Sequence, residues 1–132
     1  MSDENNQIIL TIDDDPVTLN LIVAILKKWY KVRPFISADT AFCYLALSGA
    51  ESKADLILLD YHMPDFSGPE VLRKLKSEPN YASIPVIFLT GRAGENAVDD
   101  LELLALGAVD VIGKPPSAAT LCAKIESHLA TV

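Results

Sequence analysis

Cysteine is scarce. The 132 residues contain two, Cys43 and Cys122, and neither stands at a spacing that holds a metal or begins a disulfide framework. Both sit in apolar, helix-like stretches, which predicts buried free thiols in a reducing compartment. Positive charge is also in short supply. Eleven Lys and Arg stand against eighteen Asp and Glu, for a net charge of −7. A surface of that sign is a poor match for DNA phosphates, whose binding depends on clustered Lys and Arg, so no direct nucleic-acid partner is expected. No apolar run approaches the roughly 20 residues needed to cross a bilayer, and no membrane partner is expected either. The opening residues, Met1-Ser2-Asp3-Glu4-Asn5-Asn6, are polar and acidic, unlike a secretory signal. No repeat, linker or low-complexity tract is visible.

What is present is enough apolar material for a core. Half the residues are hydrophobic and 22% are charged, which excludes intrinsic disorder. The length fits one domain of roughly 100–150 residues. A single domain over residues 1–132 is expected, with a core from about 8 to 129 and a polar tail at 1–6. No room is left after the last helix for a second domain.

The segments alternate between two periods. Ile8-Ile9-Leu10-Thr11-Ile12 is a short β-branched run and reads as a buried strand. Asp13-Asp14-Asp15-Pro16 then supplies helix-start signals: a carboxylate cap, Pro near the first turn, and negative charge at the positive dipole end. The helix is expected from Pro16 to about Trp29. Val32 to Ile36 is a weaker strand, and Pro34 places it at a sheet edge. A second helix runs from Ala38 to Leu47, a strong strand from Asp55 to Asp60, and a third helix from Pro69 to Lys76. Pro85 to Thr90 is another strong strand. Ala97 to Leu106 forms a fourth helix, ended by Gly107. A short strand at Val109 to Ile112 precedes a last helix from Ser117 to about Ala130. Strand and helix thus alternate five times, the pattern of a parallel sheet with helices on both faces. The strongest strands are continuous apolar runs, as burial on both faces requires.

In an open parallel sheet, ligands bind beyond the carboxyl ends of the strands. Asp13 and Asp14 follow the first strand, Asp60 ends the third, Thr90 ends the fourth, and Lys114 follows the fifth. The fold should gather them on one rim. Two carboxylates 4 Å apart repel by about 4 kcal/mol at an effective dielectric near 20. Lys114 alone does not neutralise three. A hard divalent cation such as Mg²⁺ would, while leaving positions for phosphate oxygens. The set then has the parts of a phosphoryl-transfer centre: a metal, an ammonium, a hydroxyl, and a carboxylate able to act as nucleophile.

The residues resemble the receiver domain of two-component response regulators. The matching pieces are Ile-Asp-Asp-Asp-Pro at 12–16, Leu-Leu-Asp-Tyr-His-Met-Pro-Asp-Phe-Ser-Gly at 58–68, Ile-Pro-Val-Ile-Phe-Leu-Thr-Gly at 84–91, Gly-Ala-Val-Asp at 107–110 and Lys-Pro at 114–115. Each piece is modest, but the ordered set is specific. The resemblance implies an α/β fold, a doubly wound (βα)5 five-stranded parallel sheet of flavodoxin-like order 2-1-3-4-5. It implies that Asp60 accepts a phosphoryl group from a phosphohistidine on a histidine kinase or histidine phosphotransfer protein. Asp14 and Asp60 would hold Mg²⁺ directly, with the backbone carbonyl of His62 as a third ligand and Asp13 acting through water. Thr90 and Lys114 would hold the phosphoryl oxygens. Lys114-Pro115 would be cis, and Gly68 would take positive φ. His62 and Arg92 occupy positions that tune phosphoryl lifetime, and Arg92 would hinder attack by water. Such a domain is not an enzyme acting on other substrates. It catalyses its own phosphorylation and slow dephosphorylation, in a cytoplasmic and most often bacterial setting.

Two departures from the family pattern bear on output. Val111 stands where an aromatic ring usually reports the Thr movement, and Pro116 replaces a frequent Phe. At 100° per residue, Ala97, Val98, Leu101, Leu104 and Ala105 should face the sheet. Leu103 and Leu106 would then join Val111 in an exposed patch on the face of the fourth helix, fifth strand and fifth helix, suited to a homodimer or effector. Leu19 and Val23 pose the same question on the first helix. Two other functions fit parts of the pattern. A degenerate receiver would only bind proteins, but the acidic set is complete. A haloacid dehalogenase-like phosphatase would use Asp13 as nucleophile, but it needs an acidic pair after its Lys, and only Glu126 follows Lys114.

Overall fold

The computed structural model describes residues 7–48, 54–63, 67–91 and 97–129. Arg92 and the loop residues 64–66 lie outside that set. Five strands, β1 (Ile8–Ile12), β2 (Lys31–Phe35), β3 (Leu56–Asp60), β4 (Val86–Thr90) and β5 (Asp110–Gly113), alternate with five helices, α1 (Pro16–Leu26), α2 (Ala38–Ser48), α3 (Gly68–Ser77), α4 (Ala97–Leu106) and α5 (Ala118–His128). The strands pair in parallel in the order β2-β1-β3-β4-β5, as the family resemblance implies.

Side-chain alternation along the central strands builds two cores. Leu10, Ile12, Ile57, Leu59, Val86 and Phe88 point to one face, where Leu45, Leu72, Leu75 and Leu103 cover them. Ile9, Leu56, Leu58, Ile87 and Leu89 point to the other, under Ile22, Leu26, Leu121 and Ile125. Burying each such side chain contributes about 1.5–3 kcal/mol. That double burial is why β1, β3 and β4 read as unbroken apolar runs.

The edge strand explains its proline. Lys31 N–H donates to Gln7 O and Phe35 O accepts from Asp13 N–H, both at 3.0 Å. In a parallel strand alternate residues bond to alternate sides, so Pro34 lies on the side away from β1. The missing N–H therefore costs no ladder bond, and it blunts the edge against strand addition.

Several expectations need correction. Helix α1 ends at Leu26 rather than near Trp29, because the Trp29 and Tyr30 N–H groups both turn back onto Leu26 O. Leu19 is buried and Val23 half-buried, while Val17 and Leu21 are the exposed large apolar residues of that helix. Cys43 is exposed and Cys122 partly buried, so burial holds for neither thiol fully. On α4 the phase is different: Leu103 is 3% exposed and sits in the core, whereas Leu101 is 65% exposed and Leu104 41%. Leucines at 101, 103, 104 and 106 surround this helix and give its periodicity little direction. What fixes the phase is the C-terminal turn, where Gly107 at φ 121° lets Ala108 N–H return to Leu103 O at 3.2 Å. Leu106 is exposed as expected, but Val111 is partly buried against the core.

Gly68 is required for a reason other than the expected one. Among the described residues only Gly107 has positive φ. A Cβ on Gly68 would instead meet Phe88 Cε1 at 2.5 Å and the backbone Asp60 O at 2.8 Å. The bare glycine lets the start of α3 lie against the end of β3, and its N–H donates to Tyr61 O at 2.8 Å.

Two substitutions test this packing by urea denaturation. Gly68→Ala should lower stability by about 1–3 kcal/mol through overpacking. Leu103→Glu should destabilise by several kcal/mol because it buries an unpaired charge, whereas Leu101→Glu should stay within about 0.5 kcal/mol of the parent.

Candidate functional site

The three consecutive aspartates after β1 do three different jobs. Asp13 is wholly buried, and its Oδ1 accepts the Asp15 N–H at 2.9 Å, which turns the chain sharply after the strand. Asp15 is the N-cap of α1, accepting from Val17 N–H at 3.1 Å and the Thr18 hydroxyl at 2.8 Å. Those two donors, the Thr18 hydroxyl first, hold its carboxyl below the usual range. Asp14, between them, is exposed. One strand end thus delivers a buried carboxylate, a solvent-facing carboxylate and a helix cap.

Asp60 arrives from the neighbouring strand and is 3% exposed. Carboxylate oxygens of Asp13, Asp14 and Asp60 lie within 4.8 Å of one another. From the far side Lys114 reaches in, with its ammonium 2.8 Å from Asp13 Oδ2 and 2.9 Å from Asp60 Oδ1. The cis Lys114-Pro115 bond and the Lys114 N–H to Thr90 O bond at 2.9 Å set the path of that segment. Thr90 is buried at the end of β4, one strand over from Asp60. Five of the expected residues, Asp13, Asp14, Asp60, Thr90 and Lys114, are therefore on one rim.

The electrostatics are unbalanced. Burial pushes the Asp60 carboxyl up to about 6, against the Lys114 contact that favours its charged form, and the Asp13 charge adds to the rise. Burial alone would lower the Lys114 ammonium, but its contacts with Asp13 and Asp60 outweigh this and hold it above its ordinary value. Asp13 Oδ2 has the Lys114 charge beside it, yet no aligned hydrogen bond among the described residues. One ammonium among three carboxylates leaves a net negative, oxygen-only cluster. The donor set fits a hard divalent cation.

A cavity of about 490 Å³ opens beside this cluster, lined by Asp14, Tyr61, His62, Met63, Ser67 and Pro69. His62 is exposed and lies edge-on to Tyr61, ring centroids 4.6 Å apart. Tyr61 in turn meets Phe88 at 6.1 Å. The imidazole is thus a rim group, not a member of the acidic cluster. Two contributors had been overlooked. Ser67 lines the cavity and caps α3 in a reciprocal capping box with Glu70, which the Ser-Gly-Pro-Glu spacing at 67–70 makes readable. Tyr61 is the floor that carries His62, and nothing in its sequence context marks it.

The raised Asp60 carboxyl has a stability consequence. The folded chain binds the Asp60 proton more tightly than the unfolded chain, so without metal this residue lowers stability as pH rises from about 4 to about 6. The penalty above that window is about 3 kcal/mol. Asp60→Asn should therefore be more stable than the parent at pH 7.5 in chelator, by up to about 3 kcal/mol. The gap should close below pH 4, as followed by denaturant melts across pH.

Comparison with known proteins agrees with this geometry. Residues 9–126 match the family model described as the response regulator receiver domain. A probable cyclic di-GMP phosphodiesterase of Vibrio cholerae serotype O1 is 36% identical over 98% of this chain and 28% of its own length. The response regulator PleD of Caulobacter vibrioides is 36% identical over 90% of this chain and 25% of its own. For the phosphate regulon regulator PhoB of Pseudomonas aeruginosa the figures are 33%, 92% and 51%. The chain thus spans about a quarter to a half of the length of these relatives. Among solved structures, the chemotaxis protein CheY4 of Vibrio cholerae superposes with a TM-score of 0.83 at 21% identity, over 95% of this chain and all of its own. A histidine-kinase receiver domain from Syntrophus aciditrophicus is 30% identical with a TM-score of 0.77, over 92% of this chain and 88% of its own.

Proposed function

Because this chain belongs to the response regulator receiver domain family, with a phosphoacceptor signalling role, we propose that Asp60 is the residue that takes the phosphoryl group. Receiver domains interact with histidine kinases or phosphotransfer proteins, and a phosphohistidine on such a partner is the donor. The single observation that carries the assignment is the position of Asp60. It is the one carboxylate that closes a central strand, touches Lys114 at 2.9 Å and shares a cluster with two further aspartates. Asp13, the nucleophile a dehalogenase-like phosphatase would need, is instead committed to the Asp15 turn and to Lys114.

Asp13, Asp14 and Asp60, with the His62 carbonyl, are the groups that would hold Mg²⁺, and the cation would supply charge neutralisation on the reacting phosphoryl oxygens. In the transfer, an Asp60 oxygen bonds to phosphorus as the phosphorus–nitrogen bond to the donor imidazole breaks. The imidazole leaves with a proton taken from solvent. Lys114 stands beside the nucleophile and meets the added negative charge, and the Thr90 hydroxyl offers a second donor from the next strand. No covalent help from His62 is needed. Residues 1–132 act as one such unit. For output, the large apolar side chains that α4 offers among its described residues are Leu101, Leu104 and Leu106, so a partner or second copy would meet those rather than Leu103. Val111 has no ring to turn inward, so a Thr–aromatic switch cannot operate here in its ordinary form.

Incubation with acetyl phosphate and Mg²⁺, read by intact mass and acid-labile phosphate, tests the assignment. The parent should gain one phosphoryl group and Asp60→Asn none. Asp13→Asn should label at least tenfold more slowly. Chelator should abolish labelling. Undiminished labelling of Asp60→Asn would refute the proposal.

A further inference from the structure

The net charge of −7 conceals a local exception at the opposite end of the sheet. Residues 16–38 contain no Asp or Glu, while Lys27, Lys28, Lys31 and Arg33 supply four of the chain's eleven basic residues within seven positions. All four are exposed, and none forms an ion pair with another described residue. Among them stands Trp29, the only tryptophan, 53% exposed. It is held there by a fixed turn: its N–H donates to Leu26 O at 2.9 Å, and the next residue, Tyr30, packs into the core beneath.

Local structure explains part of this. Lys27 and Lys28 follow the C-terminus of α1, where cations complement the helix dipole. Lys31, Arg33 and Pro34 guard an edge strand. Neither role calls for an indole half in water. An exposed aromatic anchor flanked along the chain by cations that form no ion pair among the described residues, Lys27 and Lys28 at the end of α1 and Lys31 and Arg33 on the edge strand, has the makeup of a recognition surface, since Trp is enriched where binding energy concentrates.

We infer that the rim formed by the end of α1 and strand β2, centred on Trp29, docks a short acidic segment of a partner protein. Carboxylates would meet Lys27, Lys28, Lys31 and Arg33, and an apolar side chain would cover the indole. The charge distribution selects this occupant over an extended polyanion. A duplex or an anionic bilayer would also bring its negative field within the Debye length of roughly 8–10 Å of the acidic remainder of the surface, whereas a short segment meets the basic rim alone. Strand addition is not the mode, because Pro34 removes an outward N–H from β2. The surface lies at the amino ends of the strands, away from Asp60, so docking is independent of phosphoryl acceptance.

Trp29 emission is a built-in reporter. An oligoglutamate peptide of about ten residues interspersed with leucine, titrated at low salt, should give a saturable spectral change. The double reversal Lys28→Glu/Lys31→Glu should weaken it at least tenfold with an unchanged thermal melt, and Asp60→Asn should bind like the parent. Phosphatidylglycerol vesicles and duplex DNA are titrated in parallel. The inference is overturned by no response to the peptide, by an undiminished response in the double reversal, or by tighter binding of vesicles or DNA than of peptide.

Discussion

One ammonium held between two buried carboxylates organises the rest of this molecule. Lys114 lies 2.8 Å from Asp13 and 2.9 Å from Asp60, with Asp14 at the open side. The chain spends stability to keep this arrangement, since burial, with the Asp13 charge beside it, lifts the Asp60 carboxyl to about 6 even against the Lys114 contact. A fold selected for stability alone would place an apolar side chain there. What remains after Lys114 has acted is a net negative, oxygen-lined site, a donor set that suits a hard cation.

The surrounding structure reads as the means of holding that imbalance. Continuous apolar strands with two-sided burial fix where β1 and β3 end. The Asp13 turn and the Asp15 cap convert one strand end into both a member of the carboxylate cluster and a helix start. Gly68 lets α3 close against Asp60, and the Ser67–Glu70 capping box secures that helix while lining the cavity. The site is therefore built on strand ends and capped helices, where positional error is small.

Much of this was legible in the sequence, and the failures have physical causes. The sheet order, the edge position of β2, the Gly107 stop and the common rim of Asp13, Asp14, Asp60, Thr90 and Lys114 follow from strand runs, punctuating residues and family spacing. The face of α4 did not, because leucines at 101, 103, 104 and 106 point all round and only the Gly107 turn selects Leu103 for the core. The constraint at Gly68 is not a positive φ but the approach of Phe88, a contact 20 residues away that no local pattern encodes. The acid-free stretch around Trp29 does not show in the net charge, which sums over the whole chain.

A cation at the carboxylate cluster would need both of its buried members, Asp13 and Asp60. Isothermal titration of Mg²⁺ into the parent, Asp13→Asn and Asp60→Asn at pH 7.5 addresses this most directly. One ion per chain for the parent, with binding lost or weakened at least tenfold in each variant, is the predicted result. Equal Mg²⁺ affinity in all three proteins would contradict it.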